Sequence, residues 1–143
     1  MTISKEMIDW FESELSSIQP DENLDDLGEL KNLTVIIPTY ERQTYLLRQV
    51  LYWAGSGVTL IIVDGSKLPF TKLEQLGVVD ELNFQYIHCP ESFPHRLALA
   101  GGMILTPYAV LLGDDEFHLK SGLIAAIKSM VRDPSLAACI GQS

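Results

Sequence analysis

The 143 residues carry a net charge of −9, with 47% hydrophobic and 20% charged residues. That length and composition suit one domain with a real core and exclude a disordered chain. The acidic balance excludes non-specific nucleic-acid binding, which needs a basic surface, so no nucleic-acid partner is expected.

The charge is unevenly spread. Nine of the 19 acids fall in residues 1–31, against only Lys5 and Lys31, and the rest of the chain is close to neutral. This divides the chain into an acidic N-terminal helix and linker, residues 1–32, and a domain, residues 33–143. Ile3, Met7, Trp10, Phe11, Leu15 and Ile18 recur at three- to four-residue steps with acids between them, which predicts an amphipathic helix over residues 3–18. It is expected to pack on the domain; the competing reading is a contact for a protein partner or a peripheral membrane surface. Gln19 to Asn32, with Pro20 and Gly28, reads as a linker. No basic segment precedes an apolar core at the N-terminus, so no signal peptide is expected. Cys89 and Cys139 lack metal-type spacing and are expected to be buried and inert. These features predict a cytoplasmic protein, with the inner face of the membrane as a candidate location.

From Leu33 the pattern changes. Leu33–Ile37 is a β-branched run expected to stop at Pro38, because a central strand cannot continue through proline. A helix follows, with Leu47, Val50, Leu51 and Ala54 inward and Gly55 as its stop. Val58–Val63 is a second buried strand, ended by Asp64-Gly65-Ser66, and a short helix is expected around Thr71–Leu76. Asn83–Ile87 alternates as a third strand, His88 to Pro94 is a loop, and Arg96–Ile104 is helical. Tyr108–Leu112 is a fourth strand. Residues 119–132 form a helix with Leu123, Ile124, Ile127, Met130 and Val131 inward, and Leu136–Ile140 opens a fifth strand. The uncharged stretch from Leu97 to Gly113 is short for a membrane span and is broken by Gly101-Gly102 and Thr106-Pro107. Strands alternating with helices predict an α/β fold, a mostly parallel open sheet with helices on both faces.

In such a sheet, ligands bind at the carboxyl ends of the strands, near the point where strand order reverses. Three strand ends there carry polar residues: Pro38-Thr39-Tyr40-Glu41, Asp64-Gly65-Ser66 and Asp114-Asp115-Glu116. Adjacent carboxylates repel one another and favour a neutralising cation. Oxygen ligands suit Mg²⁺ or Mn²⁺, with Asp114, Asp115 and Glu116 as candidate ligands.

The run Val-Ile-Ile-Pro-Thr-Tyr-Glu-Arg at 35–42, Ile-Ile-Val-Asp-Gly-Ser at 61–66 and Leu-Leu-Gly-Asp-Asp-Glu at 111–116 resemble, in order and spacing, the motifs of family 2 glycosyltransferases of the GT-A fold. The resemblance covers about residues 33–141. It implies a Rossmann-like sheet that binds a nucleotide-diphospho-sugar donor, a UDP-sugar above all, through a divalent metal for inverting transfer. Thr39, Tyr40 and Glu41 would lie against the base and ribose. Asp64 would hydrogen-bond the base, and Arg96 would sit near the base or diphosphate. Asp114 would meet the ribose or metal, and Asp115 would ligate the metal. Glu116 departs from the family's usual third aspartate. The resemblance also implies an incomplete domain, with the general base expected beyond Ser143 and the acceptor unassigned.

The alternative is a non-catalytic sugar-nucleotide or protein-interaction module. A nucleotidyltransferase would need a glycine-rich basic loop after the first strand, where Pro-Thr-Tyr-Glu stands instead. A phospho-receiver would carry its acid pair after the first strand, not the fourth. His88, His95 and His118 lack paired ligand spacing, and Trp10 and Trp53 fall on helical faces, so packing or surface roles are expected for all five.

Overall fold

A computed structural model describes residues 13, 24–71, 73 and 82–140. The expected helix over 3–18, apart from Ser13, and most of the short helix expected around Thr71–Leu76 lie outside the described residues. A 3-10 segment, Leu24–Asn32, leads into β1 (Leu33–Thr39), α1 (Thr44–Trp53), β2 (Thr59–Asp64), β3 (Asn83–His88), α2 (Phe93–Gly101), β4 (Tyr108–Leu111) and α3 (Lys120–Arg132). The strands form one parallel sheet in the order β3-β2-β1-β4. The expected α/β architecture with an open parallel sheet is therefore present.

Both faces of the two central strands are buried, which is why their sequences are apolar without alternation. Val35, Ile37, Leu60 and Ile62 face a large core built with Leu46, Leu47, Val50 and Trp53 of α1 and Ile124 and Ile127 of α3. Ile36, Ile61 and Val63 face the other way, onto Ala100 of α2 with Leu97, Met103 and Ile104 beside it. Trp53 is a packing residue, as expected. Leu30 of the 3-10 segment is fully buried in the larger core and the segment packs on α3. Residues 24–32 are therefore part of the packed body rather than a tether.

Several boundaries differ from the sequence expectation, each for a local reason. β1 runs through Pro38 to Thr39, paired with Asp64 at the end of β2. The Leu112 amide donates to Ile36 O at 2.9 Å, so residues 34, 36 and 38 turn their backbone groups toward β4, and pairing on that side stops at Ile36. The missing N–H of Pro38 thus falls where no ladder bond is needed. α2 starts earlier, at Phe93, because Ser92 is extended and Pro94 supplies the fixed φ of a first turn. In α3 Val131 is exposed, not inward. The expected fifth strand, Leu136–Ile140, is not formed: these residues are exposed and belong to no ladder. Cys139 is accordingly exposed, contrary to expectation. β4 is therefore an edge strand, with Tyr108 and Val110 half-buried and Ala109 and Leu111 exposed. Among the described residues no helix is long and apolar enough to cross a membrane.

Candidate functional site

β1 has β2 on one side and β4 on the other, so the connection reverses direction at the β1–β4 boundary. That is where an open parallel sheet leaves a crevice at its carboxyl edge. Thr39, the last residue of β1, is buried there. Its hydroxyl donates to Asp114 Oδ2 at 2.7 Å, joining the ends of β1 and β4. Its carbonyl accepts from the Gly65 amide at 3.0 Å and from Arg96 Nη1 at 2.6 Å, joining β2 and α2 to the same point.

Arg96 is 6% exposed, reaches Val63 O at 3.4 Å and leaves its Nε without a partner. Among the described residues no carboxylate lies within salt-bridge distance of it. A β-carbon at position 65 would come within 2.5 Å of Arg96 Cζ, so glycine there is what lets the guanidinium lie against the strand end. The result is a buried positive charge held by main-chain carbonyls and by the Phe93 ring, whose centre lies 5.7 Å from Cζ, with no carboxylate to balance it among the described residues, an arrangement that favours an anion.

The loop after β1 is pinned to the loop after β2. The Glu41 amide donates to Ser66 Oγ at 2.7 Å, and Glu41 Oε1 accepts from the Lys67 amide at 2.9 Å. Glu41 has φ 55, the positive-φ non-glycine of the described chain. Such a conformation persists only when its surroundings over-determine it, as these two bonds do. Tyr40, at the tip, presents an exposed ring.

Asp64 is fully buried. Its Oδ2 accepts from Gln43 Nε2 and Tyr86 Oη, each at 2.6 Å, and its Oδ1 accepts from the Ser66 amide at 2.8 Å. Burial by itself would raise its pKa, but the bonds from Ser66, Tyr86 and Gln43 outweigh it and hold the carboxyl below the usual carboxylate range. Burial and the same Asp64 contact push the Tyr86 phenol well above its ordinary value, so it stays a donor. Both Asp64 oxygens are thus engaged inside the protein.

Past β4, the chain turns sharply: the Glu116 amide donates to Gly113 O at 3.2 Å. Gln49, fully buried on α1, holds this turn from below. Its Nε2 donates to Glu116 O at 2.6 Å and Asp114 O at 3.1 Å, and its Oε1 accepts from Trp53 Nε1 at 3.1 Å. Tyr52 adds a bond to His118 O at 2.9 Å. The three acids then diverge. Asp114 is buried and Asp115 exposed, yet both face Arg42, whose Nη2 lies 3.2 Å from Asp114 Oδ1 and 2.6 Å from Asp115 Oδ2. The hydrogen bond from Arg42 holds the Asp115 carboxyl below the usual range, and Asp115 in turn raises the Arg42 pKa. Glu116 folds back, with Oε2 3.4 Å from the Gly113 amide.

The structure therefore brings Arg96 and Asp114 each into contact with Thr39 and sets Asp115 beside Asp114 across Arg42. Glu41 and Asp64 serve here to lock the loops, and Glu116 closes its own turn. Among the described residues no three of His, Cys, Asp or Glu are grouped to hold a metal. His88 bonds Ser66 O at 2.7 Å and His95 is exposed. Gln43, Gln49 and Tyr86 are absent from the sequence expectation, and Arg42 enters it only as the last residue of the 35–42 motif, with no role assigned. Gln49 was detectable: it falls between Leu46, Val50 and Trp53 on the apolar stripe of α1, where a polar residue needs an internal partner.

No protein-family model matches the chain, and no match was found among curated proteins or solved structures.

Proposed function

We propose that this site binds a nucleotide-diphospho-sugar, with a UDP-sugar favoured, through a divalent cation, as the donor-binding part of an inverting glycosyltransferase. The observation that carries the reading is the pairing made by Thr39. Its carbonyl holds a buried guanidinium and its hydroxyl holds a buried carboxylate, at the strand-order reversal of a parallel sheet. A diphosphate with its metal complements such a pair: phosphate oxygens toward Arg96, the cation toward Asp114 and Asp115.

The donor chemistry fits Mg²⁺ or Mn²⁺. Both are hard ions that bind one or two carboxylates together with substrate phosphates. That a single Arg42 nitrogen reaches both Asp114 and Asp115 supports a cation position common to the two. Glu116 is not needed as a ligand in this arrangement. When bound, the cation would neutralise charge on the departing diphosphate. Tyr40 offers a ring face for the base. Asp64 acts by fixing the surrounding loops, and reaches a base only if Gln43 or Tyr86 gives way.

Titration calorimetry with UDP and Mn²⁺ tests the reading. Metal-dependent UDP binding that Asp115→Ala abolishes is the expected result. Absence of nucleotide binding with either metal overturns it and favours an interaction module.

A further inference from the structure

Arg42 occupies a position that the donor-binding reading assigns to a cation. Its Nη2 sits between the two carboxylates at 2.6 and 3.2 Å. Its backbone belongs to the loop locked by Glu41 through Ser66 and Lys67, while the side chain is half-exposed and its guanidinium lies 4.7 Å from the centre of the Tyr45 ring. The base of the side chain is thus fixed, while its paired head borders solvent and lies along an aromatic face.

We propose that Arg42 is a built-in competitor for the cation position: it holds Asp114 and Asp115 before the donor arrives, yields them to a divalent cation that comes with a diphosphate, and then contacts that diphosphate. The inference rests on the donor-binding reading above. The reason is charge balance. A divalent cation entering with Arg42 in place would meet a like charge at contact distance. A cation alone must therefore evict the guanidinium without compensation. A cation with a diphosphate brings the anion that the evicted guanidinium can bind, so metal and nucleotide assist one another through Arg42. Such coupling is reciprocal, so the nucleotide raises metal affinity by the same factor.

Mn²⁺ binding to the full chain, read from the free-ion electron paramagnetic resonance signal with and without UDP, tests this in wild type, Arg42→Gln and Arg42→Lys. Arg42→Gln is expected to bind free Mn²⁺ roughly three- to ten-fold more tightly than wild type, the scale of losing a partly screened ion pair to two acids. Its gain in Mn²⁺ affinity on adding UDP should be smaller than that of wild type. Arg42→Lys, a compact charge without the planar fork, should fall between them. Raising the salt should narrow the gap. Equal or weaker free Mn²⁺ binding in Arg42→Gln, or an unchanged effect of UDP, overturns the inference. If all three proteins bind Mn²⁺ and UDP alike, the donor-binding reading stands and only the role of Arg42 falls. If none binds either, both fall. The side chain is half-exposed, so its replacement leaves the core intact, and a thermal melt of each variant checks this; should Arg42→Gln unfold, Arg42→Lys alone must show the tighter free-ion binding.

Discussion

Replacing Gly65 by alanine tests whether the seat of Arg96 is as close as described. The added β-carbon would stand 2.5 Å from Arg96 Cζ and 2.7 Å from Nε and Nη1. Relief to ordinary contact requires the guanidinium to move by about 1 Å. Arg96 is buried, and its 2.6 Å bond to Thr39 O breaks on such a move. Overpacking of this kind costs about 1–3 kcal/mol, and a hydrogen bond from a charged donor is worth about as much. The two are one event, so about 2 kcal/mol is expected in total. With a urea slope of roughly 1–2 kcal/mol/M, the unfolding midpoint should fall by roughly 1–2 M. The φ of Gly65 lies outside the left-handed range, so backbone strain adds nothing. The decisive comparison is a double-mutant cycle with Arg96→Ala, in which Gly65→Ala should cost less than about 0.5 kcal/mol because the atoms it strikes are gone. Equal costs in the two backgrounds would refute the argument.

Gln49→Leu should lower stability by about 2–4 kcal/mol, since it strips donors from the carbonyls of Asp114 and Glu116 and the acceptor from Trp53 Nε1. It should also weaken Mn²⁺ binding, because the turn that presents the acid pair loses its support. Both are read by urea unfolding and metal titration, and a stable variant with unchanged Mn²⁺ affinity would rule out the supporting role. Asp64 sets an acid limit to stability. Its folded pKa lies below the ordinary 3.8, so its contribution is fully present above that value and is lost as pH falls through the folded one. Tyr86→Phe removes one of its donors and strands the Phe70 amide, so it should cost about 1–3 kcal/mol at neutral pH and make the acid loss shallower. A steeper acid loss in Tyr86→Phe would contradict this sign.

The parallel sheet was legible because the central strands are apolar on both sides, and each ends abruptly in polar residues that mark a carboxyl edge. Pro38 misled the boundary of β1 because a proline is harmless where one neighbour has already ended, and strand order is not visible in a linear pattern. Leu136–Ile140 has the composition of a strand, but a strand also needs a partner edge, and it finds none among the described residues. The three carboxylates after β4 did call for a positive charge. The group that answers, Arg42, lies some seventy positions earlier and belongs to a motif in which the neighbouring Thr39, Tyr40 and Glu41 drew the attention. On α1, the apolar spacing found Leu47 and Val50, but a stripe defined by hydrophobic residues alone passes over Gln49, whose burial is made possible by carbonyls from a distant turn.

The bond between Thr39 and Asp114 spans 75 positions, with α1, β2, β3, α2 and β4 between its ends. In folding terms the two halves of the site meet only when β4 docks on β1, a long-range closure that pairings nearer in sequence precede. The elements before β4, with α2 among them, carry only the Arg96 side of the crevice. On the donor-binding reading, the crevice is complete only once β4 is in place. A ligand gripping both sides would act as a clamp on that edge strand and would couple the completeness of the sheet to the occupancy of its crevice.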